Sequence, residues 1–87
     1  MITERDVEAR LSRIVSKAGG LCLKWTGSPG FPDRLCFLPG GELVVVECKA
    51  PGKEPRPLQI HAIDKLKALG FRVRVVDFLI DGLEDLK

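Results

Sequence analysis

The chain predicts an α/β (α+β) domain in which a mixed sheet is flanked by helices, in the order αβββαβα. Three observations predict it. Apolar residues recur at helical spacing over two stretches that each end in glycine, at Gly19-Gly20 and at Gly70. Leu43 to Val46 (LVVV) is a short, purely apolar run, the pattern of a strand buried on both faces. Pro39-Gly40-Gly41 is a tight turn between two strand-like segments, and a helix-length stretch then separates the third strand from a fourth. A length of 87 residues predicts one domain, spanning 1–87.

The elements follow in order. A first helix is expected from Glu4 to Ala18, with Thr3 as N-cap, Asp6 three residues on, and a buried stripe of Val7, Leu11, Ile14, Val15 and Ala18. Leu21 to Trp25 reads as a first short strand. Thr26 to Pro32 (TGSPGFP), with two glycines and two prolines, reads as a loop. Arg34 to Leu38 and Glu42 to Lys49 form the second and third strands, joined as a hairpin, and the third takes a central position. After an irregular loop at Ala50 to Pro57, a second helix is expected from Leu58 to Leu69. Phe71 to Val76 is a fourth strand, with Val73 and Val75 on one face and Arg72 and Arg74 on the other. It runs parallel to the third through the intervening helix. Asp77 onward reads as a short terminal helix.

Composition excludes several classes. The longest uninterrupted apolar run is four residues, which predicts neither a membrane span nor a secretory signal. The three cysteines, Cys22, Cys36 and Cys48, lack C-x-x-C spacing, so neither a disulfide framework nor a zinc site is expected; they read as small apolar strand residues in a reducing, cytoplasmic compartment. His61 is the only histidine, which excludes a His-rich metal site. A net charge of +2 is too small to establish a nucleic-acid partner by itself.

The end of the third strand carries the chemistry. Glu47 and Lys49 are two apart in a strand and project from one face, directly after the most apolar segment of the chain. Taken alone they read as a structural ion pair. Counting outward from the hairpin turn, Asp33 comes level with Glu47 within a residue or two. Two carboxylates that close repel each other, and a divalent cation relieves the repulsion. Oxygen-only ligands favour Mg²⁺, Mn²⁺ or Ca²⁺ over zinc. At 100° per residue Ile60, Ile63 and Leu66 mark the apolar stripe of the second helix and Gln59 falls inside it, near the same rim; a buried Gln needs hydrogen-bond partners. Glu4 and Glu8 both flank the buried face of the first helix and read, individually, as surface charge. Trp25 reads as core or a loop anchor, and His61 as a surface residue.

These residues spell P-D-(x13)-E-x-K, as Pro32-Asp33 followed by Glu47-Cys48-Lys49, which resembles the PD-(D/E)xK nuclease superfamily. With Glu8, G-F-P-D-R at Gly30 to Arg34, V-E-C-K at Val46 to Lys49, and Gln59, the chain is similar throughout to the VRR-NUC family. The resemblance implies an αβββαβ restriction-endonuclease-like core and a metal-dependent nuclease of the small stand-alone, phage type. Its expected cofactor is Mg²⁺, with Mn²⁺ as a substitute; neither an organic cofactor nor a membrane partner is expected. Asp33, Glu47 and the Cys48 backbone carbonyl would hold the ion, with Glu8 contributing directly or through a water. Lys49 would orient the attacking water and stabilise charge on the phosphate, and Gln59 would position Lys49 or the water. Lys24, Arg34, Lys53 and Arg56 are candidate phosphate contacts.

The expected substrate is DNA recognised by shape rather than sequence, branched or four-way-junction DNA in particular. A homodimer is expected, with Phe78, Leu79, Ile80, Leu83 and Leu86 at its interface. The same residues also admit a catalytically silent nucleic-acid-binding module, or a small protein-interaction domain whose Asp33, Glu47 and Lys49 form an ion-pair cluster.

Overall fold

A computed structural model describes residues Met1–Lys87. Helix α1 (Glu4–Lys17) is followed by strands β1 (Leu21–Lys24), β2 (Arg34–Leu38) and β3 (Glu42–Cys48), helix α2 (Pro57–Ala68), strand β4 (Arg72–Val76) and a 3₁₀ turn at Leu83–Leu86. The strands lie in the order β1-β2-β3-β4. The first two pairings are antiparallel and β3 with β4 is parallel, so the sheet is mixed as the sequence predicts.

Each element has a local cause. Thr3 caps α1 in a reciprocal box: its hydroxyl accepts the Asp6 N–H at 3.2 Å, and the Asp6 carboxylate accepts the Thr3 N–H at 2.7 Å. The β2–β3 hairpin turns through Gly40 and Gly41, at φ 90° and 80°, a left-handed pairing that a side chain would strain. Two layers cover the sheet. Under α1, Val7, Leu11 and Val15 pack with Cys36, Leu38, Val44, Val46, Cys48 and Val76 in the main core. Under α2 the buried cluster is only Val45, Ile63 and Val73, with Phe31, Leu35 and Leu66 at its margin. β3 is buried on both faces from Val44 onward. All three cysteines are free thiols. No helix is long and apolar enough to cross a membrane.

Two expectations change. The C-terminal segment is not a continuous helix, since only Leu83–Leu86 forms a 3₁₀ turn. It also folds back on its own chain. Ile80 and Leu86 are buried in the main core, with Phe78 and Leu83 packed against it. Arg10 fastens the segment by donating to the Ile80 carbonyl at 2.6 Å while its guanidinium lies over the Phe78 ring. Leu79 alone remains largely exposed, so this segment offers no apolar face for a dimer. Secondly, Ile60 lies outside the buried stripe of α2. The stripe runs through Gln59, Ile63 and Leu66, while Ile60 is half exposed.

Candidate metal centre

Four elements converge at the rim of the sheet where β3 ends: the start of β2, the end of β3, α2 and α1. β2 begins after Pro32, whose side chain is fully buried and anchors the preceding loop. Gly30, at φ 77°, lets that loop press against α2: a Cβ there would lie 2.5 Å from Leu58 Cγ. The antiparallel register pairs Arg34 with Val46, and one step outward sets Asp33 against Glu47, as the count from the turn predicts. Asp33 is tied on both sides. Its Oδ2 accepts the Cys48 N–H at 3.2 Å, and its carbonyl accepts the Trp25 N–H at 2.7 Å.

Glu47 is completely buried and Lys49 nearly so. One oxygen of Glu47, Oε2, accepts from Gln59 Nε2 at 3.0 Å and lies 3.3 Å from Lys49 Nζ. The other, Oε1, is buried without a hydrogen-bond partner. Gln59 is fixed from behind, because its Oε1 accepts the Arg56 N–H at the start of α2, at 2.9 Å. With its oxygen so engaged, the amide nitrogen is the end that must face Glu47. The expected role of Gln59 is to position Lys49 or a water; its contact is with Glu47.

The first helix contributes Glu4. Ligand oxygens of Glu4, Asp33 and Glu47 all lie within 4.8 Å of one another. Burial raises the Glu47 pKa from its ordinary 4.5 to about 7, and the neighbouring Asp33 charge adds to the rise. Asp33 is also raised, by burial first and then by the charge of Glu8, against the opposing Cys48 N–H. An unpartnered buried oxygen among three crowded carboxylates fits a hard divalent cation, which would satisfy the orphaned atom and offset the repulsion.

Glu8 stands apart from this group. Its Oε1 is 3.1 Å from Arg34 Nε and 3.5 Å from Lys24 Nζ, and its side chain is largely covered. The structure therefore gives Glu8 to two cations and brings Glu4 to the carboxylate cluster. The sequence holds one signal for Glu4: it lies closer than Glu8 to the centre of the buried stripe of α1. Of the candidate phosphate contacts, Arg34 is mostly buried in the Glu8 pair, Lys24 is partly exposed beside it, and Lys53 and Arg56 stand on the loop after Lys49. Lys49 and Lys53 both open onto a cleft of about 310 Å³. Cys48 has its N–H engaged with Asp33.

No family model matches the chain. It is 44% identical over 79 residues to "Putative nuclease p44" of Acyrthosiphon pisum secondary endosymbiont phage 1, a match that covers 88% of this chain and 85% of that protein. Among solved structures it is similar to one described as "VRR_NUC domain", with a TM-score of 0.71 and 29% identity over 87% of this chain and 86% of the other.

Proposed function

The chain belongs to the VRR-NUC family, and on that premise we propose that it is a divalent-metal-dependent nuclease that hydrolyses phosphodiester bonds in DNA. The observation that carries this reading is the buried, unpartnered Oε1 of Glu47 beside Asp33 and Glu4. These three carboxylates would hold Mg²⁺ or Mn²⁺, with the Cys48 carbonyl completing the protein's share and Glu8 acting at most through a water. When bound, the ion supplies a Lewis acid at the phosphate and a water of lowered pKa.

The chain's own residues do the rest. Gln59 and Lys49 both engage Oε2 of Glu47 and leave Oε1 without a protein partner. Lys49, nearly desolvated, is the cation available to stabilise charge that builds on the phosphate, where low dielectric strengthens it. Lys24, Lys53 and Arg56 would take flanking phosphates. Free thiols fit action in a reducing cytoplasm.

Branched DNA, such as a four-way junction, is the proposed substrate, cut by a homodimer that brings two sites to one molecule. The C-terminal segment packs into its own core, which argues for an interface elsewhere. Leu21 and Phe37, paired across β1 and β2 at the end of the ladder away from Asp33, are half exposed on an uncovered part of the sheet and offer a dimer face.

The test incubates purified protein with linear, flapped and four-way-junction DNA in Mg²⁺, Mn²⁺ or EDTA. Cleavage with either ion and none in EDTA is expected, with the junction cut fastest. No cleavage of any substrate would overturn the nuclease reading. Light scattering free and bound to junction DNA tests the dimer, and a monomer in both would overturn it.

A further inference from the structure

We propose that Trp25 is a nucleobase-stacking site, whose indole takes an unpaired base flanking the phosphate that is cut. The inference rests on the nuclease reading above and deepens it, because it supplies a reason for preferring branched or single-stranded nucleic acid.

Position is the first argument. β1 and β2 pair Lys24 with Arg34, and the Trp25 N–H donates to the Asp33 carbonyl at 2.7 Å, so Trp25 stands directly opposite Asp33. Hydrogen-bonded partners of an antiparallel pair lie about 5.5 Å apart at Cα and share a face. The indole therefore emerges beside the carboxylates, on the face that carries Glu47. A nucleotide whose phosphate sits at Asp33 has its base, or its neighbour's base, within reach of the ring.

The state of the ring is the second. Trp25 belongs to neither buried cluster and is 41% exposed. Its aromatic partner is Phe31, at 5.5 Å between centroids and tilted by 51°. The benzo edge is held over the backbone of Gly27, where a Cβ would lie 2.4 Å from Cζ2. The ring is thus oriented by the loop on one side while a large part of it faces solvent. An exposed aromatic held in one orientation is the platform on which single-stranded nucleic acid stacks a base.

The chemistry of the ligand follows. A base within a duplex has both faces covered by its neighbours, so only an unpaired or splayed base can lie on the indole. Every base has such a face, which makes the contact indifferent to sequence and selective for structure. A role confined to anchoring the loop against Phe31 would leave the indole unchanged when DNA binds.

Trp25 is the only tryptophan in the chain, so its emission reports on this site alone. The Glu47→Gln protein, which keeps Trp25 and leaves DNA uncut, is titrated with a single-stranded oligonucleotide and with a blunt duplex. Anisotropy of labelled copies reports binding independently. Quenching by the single strand, and its loss when the base next to the cut is replaced by an abasic residue, is expected. In kinetics on flapped DNA, Trp25→Leu should lower kcat/KM about 5- to 100-fold, the range of one base–aromatic stack. Trp25→Phe should restore most of it, and blunt-duplex cleavage should change less than flap cleavage. Binding without any change in emission overturns the stacking site and leaves the nuclease reading standing, as does an equal loss on flap and duplex. An absence of both binding and cleavage overturns the nuclease reading, and the stacking site with it.

Discussion

The face of the sheet under α1 gathers eleven buried apolar side chains into one cluster, whereas the face under α2 gathers three and adds a buried carboxylate and a buried ammonium. Both faces belong to the same strands, and alternation along β3 sends Val44, Val46 and Cys48 one way and Val45, Glu47 and Lys49 the other. The difference teaches where each property resides. Stability is concentrated on the α1 side, which supplies Glu4 and the Glu8, Lys24 and Arg34 group but none of the residues around Glu47 on the other face. The charged groups sit where the core is thinnest, so their desolvation is borne by a rim rather than by the centre of the fold. An 87-residue domain has a total stability of about 4–13 kcal/mol, which leaves little room to bury such charges within the main core.

The comparison is tested most severely by truncating one core residue on each face. Leu11→Ala, at a fully buried position in the larger cluster, should lose about 3–5 kcal/mol and leave the chain near its unfolding limit. Ile63→Ala, in the smaller cluster, should lose about 2 kcal/mol, the low end of the range for such truncations. Urea midpoints followed by circular dichroism measure both. Equal losses would mean that the two faces carry the fold equally.

The next largest effect separates function from stability on the α2 side. Lys49→Ala should still fold, because Lys49 belongs to neither apolar cluster, with some loss of stability from leaving Glu47 without its cation, yet it should slow cleavage about 10²–10³-fold, equivalent to about 3–4 kcal/mol of transition-state stabilisation. Single-turnover rates read it, and activity within a few-fold of wild type would remove Lys49 from the chemistry.

A third effect, of about 3 kcal/mol at most, concerns pH without metal. Glu47 has its folded pKa raised from 4.5 to about 7, so the folded state holds a proton that the unfolded state has lost over that interval. Stability is therefore greatest below about pH 4.5 for this group, falls as pH rises through 5 and 6, and levels off above about 7. Asp33 shifts in the same direction. Asp6 and Asp85, held low by backbone N–H groups, act oppositely but only as pH falls below the ordinary aspartate range. Melting of metal-free protein between pH 5 and 8 should show the decline. Asp33→Asn with Glu47→Gln should abolish it and stabilise the metal-free protein, and millimolar Mg²⁺ should reverse it in wild type. A flat profile would mean that the carboxylates are better solvated than their burial implies.

How much of the fold and site is legible in the sequence differs by residue, and each case has its own physical reason. The LVVV run marks β3 as central because only burial on both faces favours an unbroken apolar strand. The short hairpin makes Asp33 and Glu47 neighbours by counting alone, since register is rigid over a few residues. Gln59 stands out because a polar residue inside an apolar stripe needs a partner. The division of labour between Glu4 and Glu8 is harder to read. Both flank the stripe of α1, and Glu8 is drawn away by Arg34 and Lys24, which are distant in sequence. Periodicity misplaces Ile60 because it gives the direction of a stripe but not how far its burial extends. The apolar residues of the terminal segment suggest an interface because their true partners, α1 through Arg10 and the main core, lie at the far end of the chain.

The smallest effect lies at the seam between the two roles of Gln59, which caps α2 through the Arg56 N–H and holds Glu47 through its amide nitrogen. Two substitutions pull these roles apart. Gln59→Leu suits the apolar stripe but removes both hydrogen bonds; it should cost up to about 1 kcal/mol of stability through the lost cap and slow cleavage roughly 10-fold as Glu47 loses a fixed partner. Gln59→Glu keeps an acceptor for the Arg56 N–H, so the cap survives, but it cannot donate to Glu47 and instead sets a fourth carboxylate against the cluster. If capping were the whole of its work, Gln59→Glu would melt and cleave like wild type. If holding Glu47 matters, Gln59→Glu should lower metal-free stability more at pH 8 than at pH 5, while Gln59→Leu lowers it equally at both. The ranking of the two variants across pH, measured alongside their single-turnover rates, decides which role the residue serves; cleavage within two-fold of wild type for both would reduce Gln59 to a helix cap.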